Sequence, residues 1–583
     1  MQPRKTFFDP AEGYFIRLAD LVDFSDENRE DTALINESLK AISERGGGTL
    51  YLSGGVFRTH TVMLQSNVTI YIDKTATLEA LPGEYQYENL IDPATGELYP
   101  WALRQDAGHT WYLNSMFYGD GLENVKIIGN GKIDGADNIS KYDSLIQNTV
   151  FEAFSSKKFP TNEEIHAANT SMPSPDSKGR TCNKTFAIKR CRNLEIGGIC
   201  PSKDLWYDGK FEGKRGKVGY LNDDGSFDFD SVDNMLHMTD TGHFALLASG
   251  CDEVHLHDIY FDNAFNMRDT FNMMSCNDVV VCNIYIEGTT DDVIKFASDM
   301  SLGEARHTGN AIVRNIVGDT GCNLLLVGGE TDGDIQNICY DNVICLAANK
   351  AAIGVSTGGG ARLSNIHFNC GGSVGKCCCG TDHGQLSIGY TPAMVFPYRS
   401  RATHMRQPIN ITAGGAPALG RSRIENVYIG KLTCENVFAG SMSKEGGVQV
   451  FAEYGHQAET TAMIQGCLPS DDPRVIADPG FGRVNNVVLE DVDILVKGGH
   501  SEEERLNVID PSEGAIGMRA ADKPGGGSRL PAYGFYIRRA DGVHFKNCTI
   551  ATEKYDGRAA FHTDDCTDVT FENGSILNPV PKK

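Results

Sequence analysis

Residues 277–286 read Asn277-Asp278-Val279-Val280-Val281-Cys282-Asn283-Ile284-Tyr285-Ile286. An amide or acidic residue opens the phrase, and apolar positions then recur every second residue, rich in Val and Ile. Period-2 alternation over about 4–8 residues is the mark of a strand. The phrase returns along most of the chain: SNVTIYI around Asn67, ENVKIIG around Asn124, RNLEIGG around Asn193 and DEVHLHDIYF around Glu253. It continues as NAIVRNIVG from Asn310, GDIQNICYDNV around Asp334, SNIHFNC around Asn365 and ENVYIGKL around Asn426. The last copies are NNVVLEDVDI around Asn486, DGVHFKNCTI around Gly542 and TDVTFENGSI around Asp568. Close copies are spaced 25 residues apart from Val254 to Val279 and 23 apart from Ile312 to Ile335.

Strand repeats at roughly 20–50 residues signal a solenoid, and helical periodicity is nearly absent after residue 45. The expected fold is all-β: a single right-handed parallel β-helix over residues 1–583. Each coil supplies two or three strands, inward residues stack as apolar ladders, and outward residues line a groove. The recurrent Asn suits a tight corner, because it tolerates left-handed backbone and bonds along its own stack. An open first coil exposes core, so a cap is needed. Within DENREDTALINESLKAISERGGG, Leu34, Ile35, Leu39 and Ile42 fall near helical spacing, and Gly46 to Gly48 stop the helix. The capping region is 1–50, and long insertions are expected at about 140–235 and 370–420.

Net charge is −24, which disfavours nucleic acid and anionic membrane as partners. No apolar run of roughly 18 residues and no apolar leader stands out, so a cytoplasmic protein is expected. The 17 cysteines suit free thiols in a reducing compartment. Cys377, Cys378 and Cys379 with His383 lack the C-x2-C spacing of a zinc site, so neither metal nor cofactor is expected. Homo-oligomerisation stays open.

The stretch GTTDDVIKFASD at 288–299 places Asp291 and Asp292 side by side before an apolar strand. With Ile294 and Phe296 inward, Asp291, Val293, Lys295, Ala297 and Asp299 share the outward face. Lys295 pointing into the core would be costly, so it belongs in the groove, beside Asp291. A solvated acidic corner is the plain alternative.

The segment NREDTALINESLKAISERGGGTLYLSGGVFRTHTVMLQSNVTIYIDKTATLEA resembles the opening of the pectin-lyase-like β-helix enzymes, and GLENVKIIGNGKIDG from Gly121 does too. The nearest family is glycoside hydrolase family 28, the polygalacturonases. LPAYGFYIRRADGVHFKNCTI and GRAAFHTDDCTDVTFENGSI near the C-terminus resemble its bacterial members. The resemblance implies a glycosidase acting on an oligosaccharide, with a D-D pair at Asp291 and Asp292. It places the N-T-D aspartate at Asp269, 22 residues earlier. In a second alignment Asp291 is itself that first aspartate, and GDTGCNLLLVGGE has lost the pair. Under the first alignment the family's G-H-G falls on Gly321-Cys322-Asn323 and its R-I-K near Gly354-Val355-Ser356. The histidine and both basic residues are then absent, which points to a neutral sugar or to an acid gripped by other groups.

The resemblance implies Asp292 as general acid and Asp291 as the carboxylate directing water, with Lys295 tuning the latter. Further candidates are His243, outward if Phe244 and Leu246 face inward, and Asn323 and Glu330 flanking the following coil. Arg399, Arg401, His404 and Arg406 form a basic island suited to a sugar carboxylate. Trp111 and Tyr390 could stack on a sugar ring. The insertions could close one groove end and make the enzyme exo-acting on short imported fragments. Two alternatives are carried: a lyase or intramolecular transferase on the same scaffold, and a carbohydrate-binding β-helix without catalysis.

Overall fold

The computed structural model describes residues 13–580 except 27, 84, 87, 89–91, 97, 98, 100–108, 110, 140–181, 200–203, 209–216, 223, 225, 229, 263–268, 359, 370–399, 415–421, 438, 439, 446, 447, 454–461, 468–479 and 504–529. Alternation in the sequence becomes alternation in burial. Along Val68–Ile72, Val68, Ile70 and Ile72 are buried while Thr69 and Tyr71 are half-buried. Neither strand edge can satisfy its backbone alone, so each coil pairs with the next. Asp252–Asp262 pairs in parallel with Asn277–Thr289, which pairs with Thr308–Thr320, which pairs with Ile335–Thr357. Thirty-one described strands join in this way, and every pairing among them is parallel.

Asparagine turns the corners. Asn67, Asn124 and Asn193 all have φ near +60°, at 62°, 56° and 56°. Asn124 Nδ2 donates to Asn67 Oδ1 and Asn193 Nδ2 to Asn124 Oδ1, both at 2.7 Å. The column resumes through Asn310, Asn337, Asn365, Asn426 and Asn486. A second column runs through Asp258, Asn283, Asn315 and Asn342, again at positive φ, and bends single long strands around a corner. Few residues accept left-handed backbone, and the amide also satisfies its own stack.

One contiguous apolar core runs from Leu18 to Ile550. The helix Thr32–Glu44 covers its first coil with Ile35, Leu39 and Ile42, and Gly46, Gly47 and Gly48 follow at positive φ. Leu34 is only partly buried against that core. No described helix is long and apolar enough to cross a membrane.

Three expectations need correction. Lys184–Lys189 and Arg192–Gly197, inside the first expected insertion, are rungs of the parallel sheet. A small antiparallel sheet of Leu205–Asp208, Lys217–Leu221 and Phe227–Asp228 follows them. Ser400–Ala413, inside the second expected insertion, pairs with the strand Ile335–Thr357. Finally, Val254 does face Val279, but Ile312 faces Cys339 rather than Ile335. Ile335 instead faces Thr308, because the coil is longer than local similarity suggests.

Candidate active site

A polar column rises at one corner of the parallel sheet. Backbone hydrogen bonds stack Asn114, Asn183, His243 and Asp269, each lower carbonyl accepting from the N–H above at 2.8–3.0 Å. The next coil brings Asp292, whose carbonyl accepts from Thr270 N–H at 2.9 Å. Asn323 follows, its carbonyl accepting from Val293 N–H at 3.0 Å. A parallel stack repeats the same corner in every coil, so residues far apart in sequence meet here.

The side chains extend this ladder. Asp269 Oδ1 accepts from the Asp292 N–H at 3.2 Å, and its Oδ2 accepts from Asn272 Nδ2 at 2.9 Å. Asp292 Oδ1 accepts from Asn323 twice, from Nδ2 at 2.7 Å and from the N–H at 3.3 Å. Asn323 Oδ1 then accepts from Ala351 N–H at 3.2 Å. Asp269, Asp292 and Asn323 are all buried, whereas Asp291 is half-buried. Carboxylate oxygens of Asp291 and Asp292 and the Cys322 sulfur lie within 4.8 Å of one another. Inverting pairs usually keep about 6.5–9.5 Å for a water.

Burial raises the Asp269 carboxyl well above its ordinary value, and the charges of Asp291 and Asp292 push it further. Burial, with the same two charges, raises the Cys322 thiol and keeps it protonated. Burial would lower the Lys350 ammonium, but the charges of Asp291 and Asp292, with the neutral Cys322 sulfur as a hydrogen-bond acceptor, outweigh it and hold Lys350 above its usual range. Asp291, Asp292 and Cys322 are a poor set for a cation, since the thiol is neutral and Lys350 already supplies positive charge.

The structure therefore brings together Asp269, Asp291, Asp292 and Asn323, as the sequence suggests. Ile294 and Phe296 do face the core, but so does Val293, which alternation places outward. Lys295 is buried, its Nζ 2.6 Å from Glu330 Oε2, and its charge acts on Asp269. Lys295 therefore stays out of the apolar core, as alternation expects, but it is buried in an ion pair rather than exposed in a groove. Asp299 is likewise buried, 2.9 Å from His109 Nδ1, rather than open to the groove. His243 is buried against Phe244, with ring centroids 4.2 Å apart. Phe244 packs outside the main core with Tyr112, Leu247 and Met274, so the expected inward Phe244 and open His243 are both corrected. Trp111 is buried as well, so its ring is no open stacking platform.

Arg401 Nη2 lies 3.5 Å from Glu435 Oε2 in a half-exposed surface pair. Arg399, Tyr390, Cys377, Cys378, Cys379 and His383 lie outside the described residues, as do the side chains of His404 and Arg406. Sequence reading misses Lys350, placing the basic positions at 354–356 and finding none. The available signal is a lone lysine in the apolar run AANKAAIG, the argument that singles out Lys295.

No family profile and no curated protein sequence matches the chain. Among solved structures it is similar to an exopolygalacturonase from Thermotoga maritima, 13% identical, covering 97% of this chain and 92% of that one at a TM-score of 0.44. It is similar to the family 28 exopolygalacturonase of Yersinia enterocolitica, 12% identical, covering 98% and 80% at a TM-score of 0.47. A surface adhesin of Streptococcus pneumoniae, PfbA, is 10% identical, covering 97% and 91% at a TM-score of 0.41.

Proposed function

We propose that this chain winds as a single right-handed parallel β-helix and hydrolyses a glycosidic bond of an oligosaccharide by acid–base catalysis. The observation that carries the reading is the packing of three carboxylates, Asp269, Asp291 and Asp292, at one corner with unequal surroundings. Glycoside hydrolysis needs one carboxyl to protonate the leaving oxygen and one carboxylate to direct water. Carboxylates whose surroundings differ can divide those tasks.

The surroundings favour an exchange of the roles expected from sequence. Two donors from Asn323 fix the Asp292 carboxyl in place, which suits a water-directing base. Asp291 is the least buried of the three and can meet a leaving oxygen. Asp269, raised by burial and by both neighbouring charges, accepts from the Asp292 N–H and positions the water beside it. Lys350 engages Asp291 and Asp292, which leaves a neutral sugar as the first substrate class and a galacturonide as the second. Eleven cysteines among the described residues are free, but Cys339 is disulfide-bonded, which corrects the expectation of free thiols; the cytoplasmic setting is carried from the sequence alone.

The test combines products with leaving groups. The chain is incubated with neutral oligosaccharides and oligogalacturonides, following reducing ends and ultraviolet absorbance together. Saturated products support hydrolysis, an absorbing product moves the assignment to a lyase, and no product at all favours a binding module. An aryl glycoside of the released sugar with a good leaving group needs little general acid. On it Asp291→Asn should keep most of its turnover and Asp292→Asn should not. The reverse pattern would restore Asp292 as the acid.

A further inference from the structure

Beside the aspartate corner, one segment lies across the outer face of the sheet. His109 and Trp111 to Asn114 lead into the strand Ser115–Asp120. That strand pairs with Lys184–Lys189, and Phe244–Ser249, Asp269–Met274 and Ile294–Ser298 follow in order. Asp299, just past the last of them, nevertheless holds His109, whose Nδ1 lies 2.9 Å from Asp299 Oδ2. Four rungs of about 4.8 Å each separate the two strands, so the segment runs about 19 Å along the stack.

The segment fills the face it crosses. Ala187, Leu247 and Asn272 stand opposite one another in register, as do Ser249, Met274 and Ala297. These positions point outward, because Phe186, Leu246 and Phe271 beside them enter the core. Tyr112 packs with Ala187, Phe244, Leu247, Met274 and Ala297, and its Oη donates to Ser249 Oγ at 2.6 Å. The His109 and Phe244 ring centroids are 5.3 Å apart. Phe244 opens its strand and Asp299 lies past the end of another, so Phe244, His109 and Asp299 together span the width of the face. A brace holds the segment from behind. The Glu88 carboxylate accepts from the N–H of Tyr112 at 2.9 Å and of Leu113 at 3.1 Å, and Lys189 Nζ lies 3.6 Å from Glu88 Oε1. Asn272, on the same face, donates to Asp269 Oδ2 at 2.9 Å, so the filled face comes level with the carboxylates.

Access differs on the two sides of the corner. Asn114, Asn183, Lys184, His243 and Phe244, on the earlier coils, are 0% to 2% exposed. Asp291, Glu330 and Lys350, on the aspartate coil and later ones, are half-buried. A saccharide therefore reaches the carboxylates from the later coils and meets no open face beyond them. We propose that the segment His109 to Asn114 is an end wall, pinned by the His109–Asp299 pair, that restricts the enzyme to removing sugars from one end of a chain. Cutting inside a chain needs saccharide on both sides of the scissile bond, and the filled face leaves no run for the second side. The sequence reading set such a closure in the insertions near 140–235 and 370–420, whereas this wall comes from a segment ahead of both. The inference rests on the glycosidase reading.

The test uses the full chain and whichever oligosaccharide of the panel it hydrolyses, labelled at the reducing end and followed by mass spectrometry from the earliest turnover. The parent should release terminal product of one size, and the remaining chain should shorten in equal steps. His109→Ala removes the pin and should raise the share of internally cut products at least tenfold. Should that variant fail to fold, Glu88→Ala, which loosens the half-buried brace, reads the same share. Internally cut products from the parent at the earliest times, or an unchanged share in the folded variant, would overturn the wall and leave the glycosidase reading standing. No product from any saccharide of the panel would overturn both.

Discussion

The aspartate corner and the ion-paired cluster of Glu195, His257 and Asp258 are both buried, polar and mounted on the same stack of strands, yet their carboxylates respond in opposite directions. Burial drives the Asp269 carboxyl up, and two neighbouring aspartates add to it. Burial also pushes on Glu195, but the hydrogen bond and charge of His257, with Lys126, outweigh it and hold Glu195 well below the ordinary carboxylate range. His257 in turn is raised to about 9, because Asp258 and Glu195 overcome the cost of burying its charge. Charge signs alternate in the second cluster and repeat in the first. Burial alone therefore does not mark a working site. A buried cluster left out of electrostatic balance does, because protons there are poised to move.

The largest expected effect comes from the unbalanced corner. Asp292→Asn should lower turnover by about 10³-fold or more, within the range of positioned acid–base groups. Its melting temperature should stay within a few degrees of the parent, measured by calorimetry beside the kinetics. Early melting with retained activity would erase the contrast between the two clusters.

Breaking the balanced cluster should act on stability instead. Glu195→Gln leaves His257 and Lys126 short of a partner, and the loss of a buried pair typically costs about 3–5 kcal/mol. Urea unfolding reads this, while turnover per folded molecule should be unchanged.

Lys350→Met should have a smaller effect, sharpening the picture of the corner. Removing its positive charge leaves the negative charge of the corner uncompensated, so the acid limb of the pH–rate profile should move to higher pH. A fall of about tenfold in kcat/KM at neutral pH, equivalent to about 1.4 kcal/mol, is expected. An unmoved acid limb would remove Lys350 from the site.

The smallest effect carries a sign. Asp269 has a raised folded value, so the stability it contributes is complete below the unfolded pKa of about 3.9 and is lost as pH rises through the folded value. An amide in place of its carboxyl cannot ionise, and Asn272 can turn its own amide to present Oδ1. Asp269→Asn should therefore stabilise the chain by about 1 kcal/mol at pH 7. The gain should vanish near pH 3, and a gain independent of pH would mean packing rather than charge.

The fold was legible because its signals are local. Asn67, Asn124 and Asn193 each announce a left-handed corner, and Ile35, Leu39 and Ile42 announce the cap, without reference to distant residues. Asp291 and Asp292 were legible as a pair for the same reason. Lys350, His243 and the partner of Lys295 were not, since each depends on which coil lies above which.

Sequence alone thus determined the alternating strands, the amide corners, the capped first coil and the acidic pair before an apolar strand. The tertiary structure decided the rest: Ile312 against Cys339, Asp269 beneath Asp292, Lys295 on Glu330, and Glu195 beside His257. The physical reason lies in the parallel stack. Each residue's neighbours are set by the full length of the coil between them, loops included, and loop length leaves no periodic trace in the sequence.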